Sequence, residues 1–567
     1  MLKDLSRGEA LSLAALVLFF GVLFAMPLGL LAKVGLTDGG VPSLAPLLEA
    51  LQSGSVRRAA WHSFESAAVS GLAALVLGTG LALVLGLTDV RLKGAVIFLL
   101  LLPMMIPPQV TAIAWIQALG PGSPVLNWLG VAPPPGSPHP LYSAFGVMLL
   151  LTFQHTPLVI LVVLAALRAI PREMSEAARI SGAGPVYLLR RILLPLLAPT
   201  LLAGFMLAFV SALGNFGIQS ILGIPARYTT LPVLIWRRLS SFGPSVLTDV
   251  AVISILLAVV AVLAIVLQLA LQRRFRARVI GPPQPPLRIV LGRWRSLAEA
   301  GLAVYILATL VLPLTALLAT ALVRTYGLPL NADTMTFDNF AEILYRQPAT
   351  ARAFLNSSLT AGAAAVLLAG ISILVGFFLT RPGATGRRVG GLVSGGADVS
   401  YAIPGLVISI AFILAFIRPL PLVGVSLYNT LGIIFLAYLT AFLSIGLKPV
   451  IAAYAQLDPS LDDAARVSGA GFGLRLRRVF APLVAPAAAS GAILVFLTAY
   501  NEVTVSALLW STGNETIGTS IFNYEDGGYT TLAAAMSCIT VVATVALMAG
   551  LDRAGRRLPP GVVPWRM

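Results

Sequence analysis

The sequence predicts an all-α polytopic membrane protein: twelve transmembrane helices arranged as two parallel repeats of six. Three observations carry this. Hydrophobic residues make up 58% of the 567 positions and charged residues only 11%, with a mean hydropathy of +0.93, more apolar surface than a soluble chain can hide from water. Apolar runs of about 20 residues, long enough to cross a bilayer as helices, recur along the chain. One stretch also occurs twice. Ser175 to Pro199 (SEAARISGAGPVYLLRRILLPLLAP) aligns without a gap on Asp462 to Pro486 (DDAARVSGAGFGLRLRRVFAPLVAP), at an offset of 287 residues. Most of the matching positions are Ala, Arg, Ser, Gly and Pro rather than the Leu and Val common to every apolar span, so the recurrence marks an internal duplication.

The first six spans are expected near 10–32, 66–87, 94–119, 142–167, 192–218 and 247–271. The second six are expected near 297–323, 354–380, 388–417, 427–447, 483–509 and 530–551. The apolar run Leu11 to Ala32 exceeds a signal-peptide core of about 7–15 residues and reads as a retained first helix. Pro103, Pro107 and Pro108 interrupt the third span and Pro404-Gly405 the ninth; each proline removes a backbone donor, so both spans are expected to kink or break. The domain division follows: a first half at 1–275 with its repeated loop at 171–191, an Arg- and Pro-rich linker at 276–296, and a second half at 297–567 with its loop at 456–478. The linker's prolines predict an extended, semi-rigid segment.

Charge sets the expected orientation. The alternation of spans puts 28 of the 38 Lys and Arg residues on one side, which makes that side cytoplasmic and places both termini, the linker and both repeated loops there. Six spans return the chain to its starting side, so the repeats are parallel and related by an axis along the membrane normal. Two further matches agree: Ile106-Pro107-Pro108-Gln109-Val110 with Ile403-Pro404-Gly405-Leu406-Val407, and Ala212 to Phe216 with Thr498 to Glu502.

Composition also excludes functions. The net charge of +16 comes mostly from residues flanking apolar spans, so no nucleic-acid partner is expected. A single cysteine, Cys538, rules out a disulfide framework and a cysteine metal site within the chain. None of the four lysines, Lys3, Lys33, Lys93 and Lys448, follows a glycine, so there is no phosphate-binding loop. No zinc-protease or nucleophile-elbow pattern is present, and the three histidines stand far apart. No catalytic residue, metal site or cofactor is expected in this chain.

The repeated loop has its own physical logic. Pro171 suits the first turn of a short helix, and Glu173 and Glu176 suit its N-terminal half. Ala177 and Ala178 form helix well and leave a smooth face that can enter another protein's groove. Gly182 and Gly184 permit a change of direction, Arg190 and Arg191 stand at the membrane surface, and Pro195 and Pro199 open the next span. The second copy supplies Asp463, Ala464, Ala465 and Gly469 at the corresponding places.

The pattern E-A-A-x-x-x-G followed by I-x-L-P resembles the EAA loop of permease subunits in bacterial ABC importers of the type I, MetI-like fold. Two copies in one chain resemble the fused permeases of the ferric iron and thiamine systems. The stretch Asn501-Glu502-Val503-Thr504-Val505-Ser506-Ala507-Leu508-Leu509 is similar to ferric-iron-type permeases. The resemblance implies that Glu176, Ala177, Ala178, Gly182, Asp463, Ala464, Ala465 and Gly469 couple the permease to the ATPase, with Asp463 departing from the usual Glu. It further implies a bacterial inner membrane location, two copies of a separate cytoplasmic ATPase subunit that bind the ATP and Mg, a periplasmic solute-binding protein, and ferric iron as cargo, with thiamine, polyamine or phosphonate as alternatives. The rival of another class is an ion-driven secondary transporter, which can also have two parallel six-helix halves but usually carries charged residues deep in its spans.

Polar residues inside spans are candidates for the solute path. Gln154 and His155 fall mid-span, where the other half has Ala441 and Phe442; His155 reads either as an interhelical hydrogen bond or as part of the path. Asn215 and Asn501 occupy matched places near the outer ends of the fifth and eleventh spans, beside Gln219 and Glu502, and read either as a gate or as packing. Asp398, early in the ninth span, reads as solvated at a kink.

Overall fold

The computed structural model describes residues 6–555 except 39, 135, 171, 242, 244, 275–288, 381–382 and 420–423, together with 557 and 562–563. Pro171 and most of the expected linker lie outside the described residues. Ten described helices are long and apolar enough to cross a membrane, and two bent pairs bring the spans to twelve. The bilayer offers backbone groups no water to bond, which is why the spans are helical throughout.

In the first half the helices are α1 (Arg7–Gly35), α2 (Gly54–Leu87), the broken pair α3 (Lys93–Met105) and α4 (Pro108–Leu119), α5 (Ala144–Ala169), the short surface helix α6 (Arg172–Ile180), α7 (Pro185–Leu213), the short α8 (Gly217–Gly223) and α9 (Leu231–Leu239), and α10 (Val246–Arg274). The second half repeats this order with α11 (Gly292–Ala321), α12 (Pro348–Thr380), the broken pair α13 (Ala384–Ala402) and α14 (Gly405–Phe416), α15 (Leu431–Ala455), the surface helix α16 (Ser460–Val467), α17 (Phe472–Tyr500), the short α18 (Ile517–Asp526) and α19 (Thr530–Gly555). In each half the second, fourth and fifth spans form the central packing unit.

The broken spans bend by 102° and 116°, at the prolines the sequence singled out. Pro103 is the exception: it is accommodated inside α3. The fifth and eleventh spans start earlier and end earlier than expected. Arg190, Arg191, Arg477 and Arg478 depress local hydropathy, yet they lie in π-helical turns, Leu188–Leu193 and Leu476–Phe480, continuous with α7 and α17. Two more π-turns, Gly21–Ala25 and Leu307–Val311, occur in α1 and α11. A proline follows every one of the four by two residues: Pro27, Pro195, Pro313 and Pro482. The residue before each proline donates its N–H five positions back, for example Leu194 to the Leu189 carbonyl. Proline has no N–H and its ring crowds the carbonyl four residues earlier, and the wider turn absorbs both effects.

The halves are interlocked rather than side by side. The first span of each half reaches across to the other half while keeping contact with the last span of its own: α1 packs on α13 and α14 as well as on α10, and α11 packs on α4 as well as on α19. A Cβ on Gly396 of α13 would fall 2.4 Å from the Phe20 ring of α1, so only glycine admits this approach. Thr440 in α15 donates to the Leu23 carbonyl at 3.0 Å, and Tyr305 of α11 meets Phe153 of α5 edge-on. Where the second half begins, the Leu291 N–H donates to Asp89 at 3.0 Å and the Arg91 N–H to Glu299 at 2.9 Å. Asp398 is solvent-exposed and ion-paired, with Lys448 at 2.8 Å and the Ser444 hydroxyl at 2.9 Å.

Candidate functional site

Two places collect the residues singled out from the sequence: a pair of surface hairpins and a cavity between the halves.

The hairpins are superposable at the level of single hydrogen bonds. After α6, the Gly182 N–H donates to the Arg179 carbonyl and the Ala183 N–H to the Ala178 carbonyl, both at 3.0 Å. After α16, the Gly469 N–H donates to the Arg466 carbonyl at 2.9 Å and the Ala470 N–H to the Ala465 carbonyl at 3.0 Å. This is the helix-ending motif that calls for a left-handed residue, and Gly182 and Gly469 supply it with φ of +84° and +77°. Gly184 has an ordinary φ of −71°, so the change of direction rests on Gly182 alone. Glu176 and Ala178 are half-buried and Ala177 is exposed; Asp463 and Ala464 are exposed and Ala465 is buried.

Sequence reasoning missed the most exposed apolar residues here. Ile180 and Val467 end the two short helices at matched positions, with 89% and 90% of their surface open. In the sequence each is one more aliphatic residue on a helix; their recurrence at the same offset as the motif was the available signal. An exposed aliphatic side chain therefore stands at the same spot in both copies.

The hairpins differ beneath the surface. In the second, Asp462 is buried and pairs with Arg466 at 2.9 Å and with Arg475. Arg475, itself buried, also holds Glu9 of α1 at 2.9 Å and lies over the Phe377 ring. The first hairpin has Ser175 and Leu188 at the places of Asp462 and Arg475. A four-membered ionic network therefore ties α1 to the second hairpin.

The cavity, of about 360 Å³, lies where the two broken spans bend toward each other. Gln154, His155, Asn215, Asn501 and Glu502 all line it. Gln219 does not: it is buried, donates to the Ala212 carbonyl at 2.8 Å and accepts from the Thr230 hydroxyl. Gln154 donates to the carbonyls of Pro103 and Ile106, at 3.2 and 3.4 Å. The Pro103 carbonyl lies in the last turn of α3, and Pro107, four residues on, has no N–H to offer it; Ile106 is the residue that ends the helix. Asn501 donates to the Met105 carbonyl at 3.2 Å, so the break in one half is held by a side chain from the other. Its twin Asn215 instead accepts from the Ile218 N–H at 3.0 Å and caps α8. Glu502 accepts from the N–H groups of Val505 and Ser506, placing its carboxylate at the start of a helical turn where the dipole favours it. His155 bonds its own helix rather than a neighbour, at 2.7 Å from the Leu151 carbonyl. A carbonyl only accepts, so Nδ1 carries the proton. Beyond Asn215, Phe216, Trp236 and Phe522 form an aromatic cluster with centroids 5.3 to 6.2 Å apart, joining α8 and α9 of one half to α18 of the other.

Among the described residues no group of three His, Cys, Asp or Glu side chains is placed to hold a metal ion.

Comparison with known proteins agrees. The family described as "Binding-protein-dependent transport system inner membrane component" matches residues 75–279 and 372–562, one stretch in each half. The chain is 26% identical over 495 residues to a probable ABC transporter permease protein, y4fN, of Sinorhizobium fredii, covering 85% of this chain and 84% of that one. It is 24% identical over 556 residues to the ferric transport system permease protein FbpB of Actinobacillus pleuropneumoniae, covering 96% and 77%. A probable molybdenum ABC transporter permease protein of Haloferax volcanii is 31% identical over 265 residues, covering 47% of this chain and 91% of its own length. With the repeat, the twelve spans and a family match in both halves, the chain belongs to the binding-protein-dependent transport system inner membrane components, as an ABC transporter permease in which two MetI-like halves are fused.

Proposed function

We propose that this permease carries ferric iron inward, from a periplasmic solute-binding protein to the cytoplasm, with two copies of a separate ATPase subunit docked on the α6 and α16 hairpins. Both termini and both hairpins then face the cytoplasm, as the Lys and Arg asymmetry requires. One observation carries the coupling role: two hairpins 287 residues apart share a left-handed glycine, the same closing hydrogen bonds and an equally bare aliphatic residue. Duplicated apolar surface on that face fits two identical partners. Glu176, Ala177, Ala178 and Gly182, with Asp463, Ala464, Ala465 and Gly469, make up the rest of each contact. ATP and Mg belong to the partner.

The cavity serves as the solute path. Its polar lining of Gln154, His155, Asn215, Asn501 and Glu502 offers oxygen and imidazole ligands singly, which suits a passing cation better than a stored one. Ferric iron is favoured because relatives named as ferric transport permeases align across both halves, over 96% and 76% of this chain, whereas the molybdenum-named relative spans a single half.

The test is reconstitution in proteoliposomes with an ATPase subunit and a solute-binding protein of a ferric iron importer from the same organism. ATP-dependent uptake of radiolabelled ferric iron is expected. Uptake of molybdate or sulfate instead would discard the cargo while keeping the importer. An ATPase that does not stay bound would discard the importer.

A further inference from the structure

On the face opposite the hairpins, the two halves part company in charge. The turn leading into α18 reads Gly513-Asn514-Glu515-Thr516, and the turn leading into α9 reads Arg227-Tyr228-Thr229-Thr230. The structure shows these turns to be equivalent. Ser63 accepts the Leu231 N–H at 2.7 Å, and Ser357 accepts the Ile517 N–H at 3.0 Å. The His62 ring meets the Thr229 carbonyl at 3.0 Å, and the Asn356 amide meets the Glu515 carbonyl at 3.0 Å.

Within that frame Arg352 has its carboxylate: Nε and Nη2 each reach Glu515 at 3.3 Å. The twin of Arg352 is Arg58, and the twin of Glu515 is Thr229, so Arg58 has lost its counter-ion. Arg237 and Arg238 stand where the second half has Asn523 and Tyr524. Arg227 takes the place of Gly513. Gly513 has φ of +93° and Arg227 keeps the left-handed backbone at +54°. A side chain there strains the turn, and strain of this sort collects at functional positions.

Arg58, Arg227, Arg237 and Arg238 line one cavity of about 450 Å³, with His62 and Ser55 on its wall. Among the described residues none of the four has an ion-pair partner. Glu65 is engaged elsewhere, accepting the Tyr228 hydroxyl at 2.9 Å, while the Tyr228 ring stacks on His62 at 4.1 Å. Four guanidinium groups in one concavity repel one another and focus a field that draws an anion. Their forked N–H groups match the oxygens of a phosphate-type ion.

We infer that this cavity is a binding site for a phosphate-type oxyanion, held by Arg58, Arg227, Arg237 and Arg238. The phosphate has two possible sources, a free ion or the headgroup of an anionic phospholipid. Trp61 and Phe64 lie on α2 beside the cavity, 61% and 48% exposed with rings 6.2 Å apart, an aromatic anchor of the kind found at membrane interfaces. On the first-half side, α9 also carries Trp236, so the site sits one residue from the aromatic cluster that joins the two halves.

The experiment uses the full-length purified permease. Titration with inorganic phosphate by calorimetry should show one saturable site per chain, with chloride giving none. Thr229→Glu installs the carboxylate that the second half has and should weaken phosphate at least tenfold without lowering the melting temperature. Arg227→Gly should raise the melting temperature by relieving the turn and should also weaken phosphate. In the second arm the permease is placed in phosphatidylcholine nanodiscs with and without phosphatidylglycerol, and retained lipid is read by native mass spectrometry. Phosphatidylglycerol retained by the wild type and lost in Thr229→Glu assigns the lipid; phosphate binding without lipid preference assigns the free ion. The proposal is overturned if neither probe binds or if both variants bind as the wild type does.

Discussion

The two hairpins present the same outer surface on different foundations. Both end in a left-handed glycine and a bare aliphatic residue, at Gly182 and Ile180 and at Gly469 and Val467. Beneath them, the first rests on Leu188 in an apolar core, and the second on a buried Asp462–Arg475 pair that is extended by the half-buried Glu9 and the exposed Arg466. An apolar foundation is non-directional and tolerates small shifts. An ionic one is directional, and removing one member strands the others in a poor dielectric. The comparison teaches that duplication has preserved what a partner touches and left the support free to diverge. In the second hairpin that support also fastens α1, which belongs to the other half.

The largest effect should come from breaking this foundation. Arg475→Leu leaves Asp462 and Glu9 facing each other with reduced compensation and is expected to cost about 3–5 kcal/mol, read as a fall in melting temperature. Adding Asp462→Ser recreates the first hairpin's pair of residues and should recover most of the loss. A double variant no more stable than the single one would mean that the network is not the support described here.

Next come the partner-facing residues. Ile180→Asp or Val467→Asp removes an aliphatic contact worth about 1.5–3 kcal/mol when buried by a partner, so ATPase retention in membranes should fall while permease abundance stays normal. Glu176→Lys and Asp463→Lys should act in the same direction. Full retention with all four changes would separate the hairpins from coupling.

The glycines should matter somewhat less. Gly182→Val and Gly469→Val force a branched side chain into left-handed backbone at about 1–2 kcal/mol each, although open space surrounds both Cβ positions. Uptake should uncouple from ATP hydrolysis. Gly184→Ala, at an ordinary φ, should change nothing, and equal damage from it would show that backbone conformation is not the cause.

The smallest effect is expected from dividing the chain. Co-expressed fragments 1–280 and 281–567 should associate and transport, since α1 and α11 reach across and bind each half to the other without the linker. Fragments that fail to co-purify would show that the linker itself holds the halves together.

Much of this was legible in the sequence because the bilayer leaves few options. Twelve spans, two bends and a parallel repeat follow from apolar length, proline and an ungapped match of polar residues. The left-handed glycine was legible because only glycine suits that backbone. Gln154 and His155 were noticed as polar residues in a span, but their jobs were not readable: one seals the carbonyls left by a proline break on another helix, and the other bonds its own. Gln219, four residues after Asn215, is absent from the cavity lining because α8 starts between them.

The sequence by itself determined the class of protein, the repeat and the place of each hairpin, since these depend on local composition and on spacing along the chain. Only the tertiary structure decided that the first helices reach across to the other half, that Glu9 meets Arg475 across 466 residues, that Ile180 and Val467 stand bare, and that four arginines share a cavity. The physical reason is that aliphatic spans carry little information about which neighbour they pack against, and a charge gives no sign in sequence of whether its partner survived. Those facts exist only once the helices are brought together.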